Sequence, residues 1–130
     1  MLSEKQNIIV DKTYAFAVKI INAYKYLTKE KHEYIMSKQL LKSGTSIGAN
    51  VNEAQAGQSK NDFLAKMSIA SKEARETMYW LDLLLKTDYL NSEDQNVVTL
   101  FNEINDIVRI LTKIVKTGKL NCFQYFKIHN

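Results

Sequence analysis

The best case for chemistry in this sequence rests on three glutamates. Glu53, Glu73 and Glu76 lie in a stretch that has the pattern of two successive helices, so they could converge. Clustered carboxylates can hold a metal ion or exchange a proton. The rest of such a site is missing. A di-metal carboxylate bundle needs a histidine three residues after a glutamate on facing helices. The two histidines, His32 and His129, each lack that glutamate. Arg75 and Arg109 have no histidine a turn or two downstream, so the arginine–histidine pairing of HEPN-type helical RNases is absent. No G-x-x-x-x-G-K-[ST] phosphate loop occurs. The single cysteine, Cys122, cannot form an internal disulfide and has no histidine nearby in sequence. These observations predict a protein that is not an enzyme and that uses no metal and no cofactor.

The remaining candidate chemistry is electrostatic. Lysine and arginine number 18 against 14 acidic residues, giving a net charge of +4 and a pI near 9.1. Lys38 and Lys42 stand one turn apart on one helix, and Lys60, Lys66 and Lys72 fall on the next. Lysine carries a diffuse charge that suits phosphate better than base edges. A basic stripe of this kind permits an RNA or DNA partner. Acidic residues interleave with it, so a solvated face is the competing reading for any one helix. Oligomerisation would repeat a weak stripe into a strong field.

These residues need helices to position them, and the composition favours helix. There is no proline and only four glycines in 130 residues, a length that suits one domain. The start, MLSEKQNIIVDK, carries charges where a signal peptide needs an apolar run. No stretch approaches the ~18 apolar residues of a membrane span. The expectation is a cytoplasmic protein with no membrane association.

Apolar spacing and caps predict helices over 11–29, 34–58, 60–87 and 93–117, followed by an aromatic tail at 119–130. Asp11 is the expected first cap. The first helix carries two neighbouring apolar stripes: Tyr14, Ala17, Val18, Ile21 and Tyr24, and Phe16, Ile20, Ala23 and Leu27. An arc this wide implies deep burial or a second contact surface. The second helix has an inward line of Met36, Leu40, Ser43/Gly44, Ile47, Val51 and Ala54. Gly44 and Gly48, one turn apart, each cost about 1 kcal/mol against alanine. That cost predicts close approach of a neighbouring helix. Ser59 to Asp62 form a capping box just past Gly57, a natural C-terminal position. Phe63, Met67, Ala70, Ala74, Thr77, Leu81 and Leu84 then make a bundle seam. Ser92 with Gln95 repeats the capping pattern. The fourth helix has Val97, Leu100/Phe101, Ile104, Val108, Leu111 and Val115 as its seam, and Gly118 as its expected C-cap. The sum is an all-α, antiparallel up-down four-helix bundle.

Polar residues interrupt the central hairpin. Ser46, Asn50 and Glu53 fall at helical spacing on the second helix, and Glu73 and Glu76 sit midway along the third. They are read here as helix-packing or oligomer-contact positions, with a hydrogen-bonded network that sets helix register as the simplest role.

The order of small and polar residues in this hairpin resembles the four-helix bundle proteins of bacterial 23S rRNA intervening sequences. The match is densest from Ser43 to Glu53. It continues at Ser59-Lys60, Asp62-Phe63, Lys66-Met67, Ile69-Ala70, Lys72 to Thr77 and Tyr79-Trp80-Leu81. Many relatives have glycine directly after the glutamate of the first motif. Here Ala54 follows Glu53, and the glycine comes at Gly57. The resemblance implies an up-down bundle that assembles as a homopentamer around a central channel. More distantly, the chain is similar to the accessory variability protein of diversity-generating retroelements. That likeness implies nucleic-acid binding and a reverse transcriptase partner. The rRNA name records where such genes sit and is not a function. The competing class is a protein-interaction scaffold that uses exposed apolar residues, such as Phe123, Tyr125 and Phe126, and binds no nucleic acid.

Overall fold

A computed structural model describes the backbone of residues 4–129 and the side chains of residues 8–119. Within these residues the chain forms α1 (Glu4–Lys29), α2 (Met36–Ala54), α3 (Lys60–Lys86) and α4 (Gln95–His129). Each helix packs on its neighbours in sequence, and α1 closes the ring against α4. The register shows the direction of every pair. Gly44 meets Ile20 and Gly48 meets Thr13 across α1 and α2. Thr77 reaches Ser43 and Lys66 reaches Glu53 across α2 and α3. Leu64 lies against Gly118, and Arg75 donates to Thr112, across α3 and α4. Lys12 and Lys19 pair with Asp106 and Glu103 across α1 and α4. In every pair one number falls as the other rises, so all four contacts are antiparallel. The fold is the expected all-α bundle.

The α2 and α3 seams bury the anticipated side chains, with Met36 and Phe63 only half-buried. On α4 the core line is Val97, Leu100, Ile104, Ile107 and Leu111, so Ile107 replaces Val108 at the centre. A step of three and then four keeps this line facing the ring, and Val108 falls to one side. On α1 the two stripes separate. Ile9, Phe16, Ile20 and Leu27 are fully buried, with Thr13 between them. Tyr14 is 74% exposed, Val18 46% and Ile21 39%. The stripe of Tyr14, Val18 and Ile21 is therefore a surface and not part of this protomer's core.

Several helix ends differ from the expected ones. Asp11 does not cap α1, because the helix already runs from Glu4 and Asp11 is an exposed interior residue. The α2 helix is shorter than 34–58 at both ends. Its first turn is capped by Glu33, whose carboxylate accepts from the backbone N–H of Ser37 at 2.7 Å and of Met36 at 3.1 Å. A carboxylate there also suits the positive end of the helix dipole. After Ala54 the chain makes a tight turn, with the Gly57 N–H donating to the Ala54 carbonyl at 3.1 Å. No glycine has a positive φ, so Gly57 is not a left-handed cap. The corners use His32 (φ 54°) and Asp88 (φ 67°) for that conformation instead. Ser59 caps α3 as expected, accepting from the Asp62 N–H at 3.1 Å. Ser92 does not cap α4. Asp94 accepts from the Asn96 N–H at 2.8 Å, and Asn91 accepts from the Glu93 N–H at 2.9 Å.

Gly118 does not end α4. It lies inside the helix and is buried, and a Cβ there would stand 2.2 Å from Leu64 Cδ2. Its role is close packing of α4 on α3. The segment 119–129 continues as helix; the side chains of Cys122, Phe123, Tyr125, Phe126 and His129 lie outside the described ones.

The two α2 glycines sit where α1 presses closest. A Cβ on Gly44 would meet Ile20 Cγ1 and Cγ2 at 2.8 Å, and one on Gly48 would meet the Thr13 backbone oxygen at 3.2 Å. Ile20 is fully buried and has little room to yield. Overpacking a filled core typically costs about 1–3 kcal/mol. Gly44→Val should therefore lower stability by about 2 kcal/mol in urea unfolding. Adding Ile20→Ala should recover part of that loss. An unchanged urea midpoint for Gly44→Val would refute the close-contact account.

Candidate functional site

Of the sequence-predicted residues, Lys42, Glu53, Lys66, Lys72, Glu73 and Glu76 come together along the outer face shared by α2 and α3. Steps of four and three place Lys38, Lys42, Ser46, Asn50 and Glu53 in one row on α2. Lys66, Glu73 and Glu76 form the facing row on α3, with Lys72 beside Glu76. The rows are held apart by the buried Ser43–Thr77 contact, 3.0 Å between hydroxyl oxygens. The Thr77 hydroxyl also donates to the Glu73 carbonyl at 2.8 Å. This pair is the buried polar link between the two helices among the described residues.

Ser46 and Asn50 do not make that link. The Ser46 hydroxyl donates to the Lys42 carbonyl at 2.7 Å, and the Asn50 amide donates to the Ser46 carbonyl at 2.8 Å. Both bonds stay within α2. The expected inter-helix network therefore falls to Ser43 and Thr77. Small hydroxyl side chains fit the close α2–α3 spacing, whereas Ser46 and Asn50 lie further round the helix. Gly44 and Gly48 face α1, on the other side of α2.

The charges are not distributed evenly. At one end Lys66 pairs with the exposed Glu53 at 3.2 Å. In the middle Lys42, Lys72 and Glu76 all lie near enough to act on Glu73. Lys38 stands exposed two turns from Ser46, and Lys60 stands exposed at the start of α3. Among the described residues, Lys66 alone of these five lysines has a carboxylate within ion-pairing distance. The three glutamates do not converge. Glu53 faces Lys66, which is seven residues or about 10 Å along α3 from Glu73. Among the described residues no group of three His, Cys, Asp or Glu side chains is placed to hold a metal ion.

Two features of this region had no clear signal in sequence. The Trp80 indole Nε1 is buried with no acceptor among the described residues, while its ring meets Tyr79 edge-on at 5.0 Å. Ile69 and Tyr79, 42% and 58% exposed, add apolar area beside the charges. Both positions belong to a helix whose seam was legible, but period alone does not say how far a neighbour covers its flank.

The family model described as 23S rRNA-intervening sequence protein matches residues 5–113. The chain belongs to the 23S rRNA-intervening sequence protein family. No curated protein matches it. A solved structure from Bacteroides thetaiotaomicron, described as a protein of unknown function from the S23 ribosomal protein family, is similar at 48% identity and a TM-score of 0.81. That match covers 86% of this chain and 98% of the other. The family match spans all of α2 and α3 and so includes the whole charged face. No described helix is long and apolar enough to cross a membrane.

Burial raises the pKa of the Glu73 carboxyl above its ordinary value. The Glu76 carboxylate adds to the rise, while Lys42 and Lys72 oppose it. A carboxyl whose pKa is raised by folding holds its proton more readily in the native state. Its ionisation costs stability as pH rises through the native pKa, and acidification relieves that cost. Glu73→Gln should raise the urea midpoint at neutral pH. The difference should vanish below about pH 4, where free carboxyls are protonated as well. A variant less stable than the parent at neutral pH would show that the lysines, not burial, dominate this site.

Proposed function

We propose that this 23S rRNA-intervening sequence family member is a non-enzymatic homo-oligomer, a pentamer, that binds the phosphate backbone of RNA or DNA through lysines. In this reading it serves as an accessory to a reverse transcriptase or to an rRNA-related process. The observation that carries the reading is the charged face. Lys38, Lys42 and Lys72 are exposed there, and Lys60 is exposed at the start of α3, all without ion-pair partners among the described residues. Each is free to neutralise a phosphate and release a counterion. Three glutamates dilute the field of one protomer, so assembly is needed to multiply it. The exposed stripe of Tyr14, Val18 and Ile21 supports assembly, because contiguous apolar surface of this kind favours contact with another chain.

The same stripe supports the second reading, a protein-interaction scaffold that never touches nucleic acid. One experiment separates the two. Light scattering after size exclusion gives the mass, and binding to a structured RNA is measured at low and high salt. The parent should run near a pentamer of the 15.0 kDa chain and release RNA steeply as salt rises. Converting Lys38, Lys42, Lys60 and Lys72 to glutamate should abolish RNA binding while mass and helical signal persist. Lys66 is left alone because Glu53 depends on it. Val18→Lys with Ile21→Lys should reduce the assembly. An oligomer indifferent to RNA would favour the scaffold, and a monomeric parent would refute the assembly.

A further inference from the structure

The α1–α4 seam opens where its side chains change character. Lys12–Asp106 at 3.6 Å and the Lys19–Glu103 pair tie its lower part together. Beyond Lys19, α1 presents Asn22, Ala23 and Tyr26 to α4. Ala23 is too small to fill the space, and no large aliphatic side chain replaces it. The result is a cleft of about 240 Å³. Its apolar lining is Ala23, Val97 and Leu100, with Leu90 from the α3–α4 corner. Val97, Leu100 and Leu90 are buried and belong to the core. The polar lining is Lys19, Asn22, Asn91, Asp94, Asn96 and Thr99, and Tyr26 stands at the edge, 39% exposed.

The charges decide what kind of molecule fits. Lys19 is already neutralised by Glu103, and Asp94 adds a carboxylate. An anionic group is therefore disfavoured inside the cleft, and phosphate with it. The hydrogen-bonding groups come as a mixed array. Asn91 uses its oxygen on the Glu93 N–H, which leaves its NH₂ to donate. Asp94 uses one oxygen on the Asn96 N–H, which leaves the other to accept. Asn22 and Asn96 each offer a donor and an acceptor. The volume lies below the roughly 300–1,000 Å³ of drug-sized pockets and suits one flat ring system. A phenol at the rim, an apolar floor and paired donors and acceptors are the means by which proteins hold an unstacked base.

We propose that the cleft between Asn22–Tyr26 of α1 and Asn91–Leu100 takes a single unpaired nucleobase from a single-stranded segment. The proposal rests on the nucleic-acid reading above but not on its lysines. It adds base capture at a second site to backbone binding on the α2–α3 face.

The test uses phosphate-free probes, adenosine and uridine, added at millimolar concentration to the isotope-labelled full chain. Backbone amides of Ala23, Val97 and Thr99 should shift in a saturable way, and those of Lys42 and Glu73 should not. Ala23→Leu fills the cleft and should weaken nucleoside binding about tenfold or more, while salt-dependent RNA binding on the lysine face persists. Tyr26→Ala with Asn96→Ala removes the contacts without adding bulk and should have the same effect if Ala23→Leu fails to fold. The lysine-to-glutamate variant should still bind nucleoside, so RNA binding undiminished there, with retained shifts, would sink only the backbone reading. No cleft shifts with either nucleoside, shifts unaltered in both cleft variants, or equal binding of phenol would each overturn the proposal.

Discussion

The close approach of α1 and α2 at Gly44 and Gly48 sets the geometry on which the rest of the bundle depends. Ile20 occupies the space a side chain at 44 would need, and the Thr13 backbone presses on Gly48. Two glycines in one helix cost about 2 kcal/mol in propensity. The gain is a fully buried Ile20 and a fixed register between the helices. With that register fixed, α2 turns its Ser43 side toward α3 and its lysine row outward. Gly118 repeats the device between α3 and α4, where Leu64 fills the missing side chain's place. The tight seams therefore depend on absent atoms as well as on interlocked ones.

The polar residues of the hairpin divide by distance from these seams. Ser43 and Thr77 are small enough to be buried together, and they satisfy each other. Glu73, one turn from Thr77, is only half-buried and sits among Glu76, Lys42 and Lys72. Lys66 and Glu53 are further out and form a partly solvated pair of the kind worth roughly 0.2–1 kcal/mol. The charged face thus contributes little to holding the protomer together.

The fourth seam is built differently. Between α1 and α4 the ties are ion pairs, and one end is left open by Ala23. A ring of four helices does not need equal packing on every side, because three tight seams already fix the positions of the outer two helices. The looser side can then hold a cleft at small cost to the fold. The exposed stripe on α1 lies on a third side, so the protomer offers a charged face, an apolar face and a polar cleft in different directions.

Period and composition determined the all-α class and the core lines of α2 and α3, because burial repeats every 3.6 residues and leaves a pattern in any one chain. The Ser59 cap was equally local, since it needs only a hydroxyl and an N–H three residues on. The hairpin motif from Ser43 to Leu81 also carried the family. Tertiary structure alone decided which of the two α1 stripes faces inward, because both have helical period and only the neighbours choose between them. It decided that Gly118 is a packing position rather than a cap, since a glycine's role depends on what stands where its side chain would be. It gave the cap of α2 to Glu33, which reaches from outside the helix through a long side chain. It also gathered Asn22, Tyr26, Asn91, Asp94 and Asn96 around one cleft. These residues lie some seventy positions apart in the chain, and no local pattern connects them.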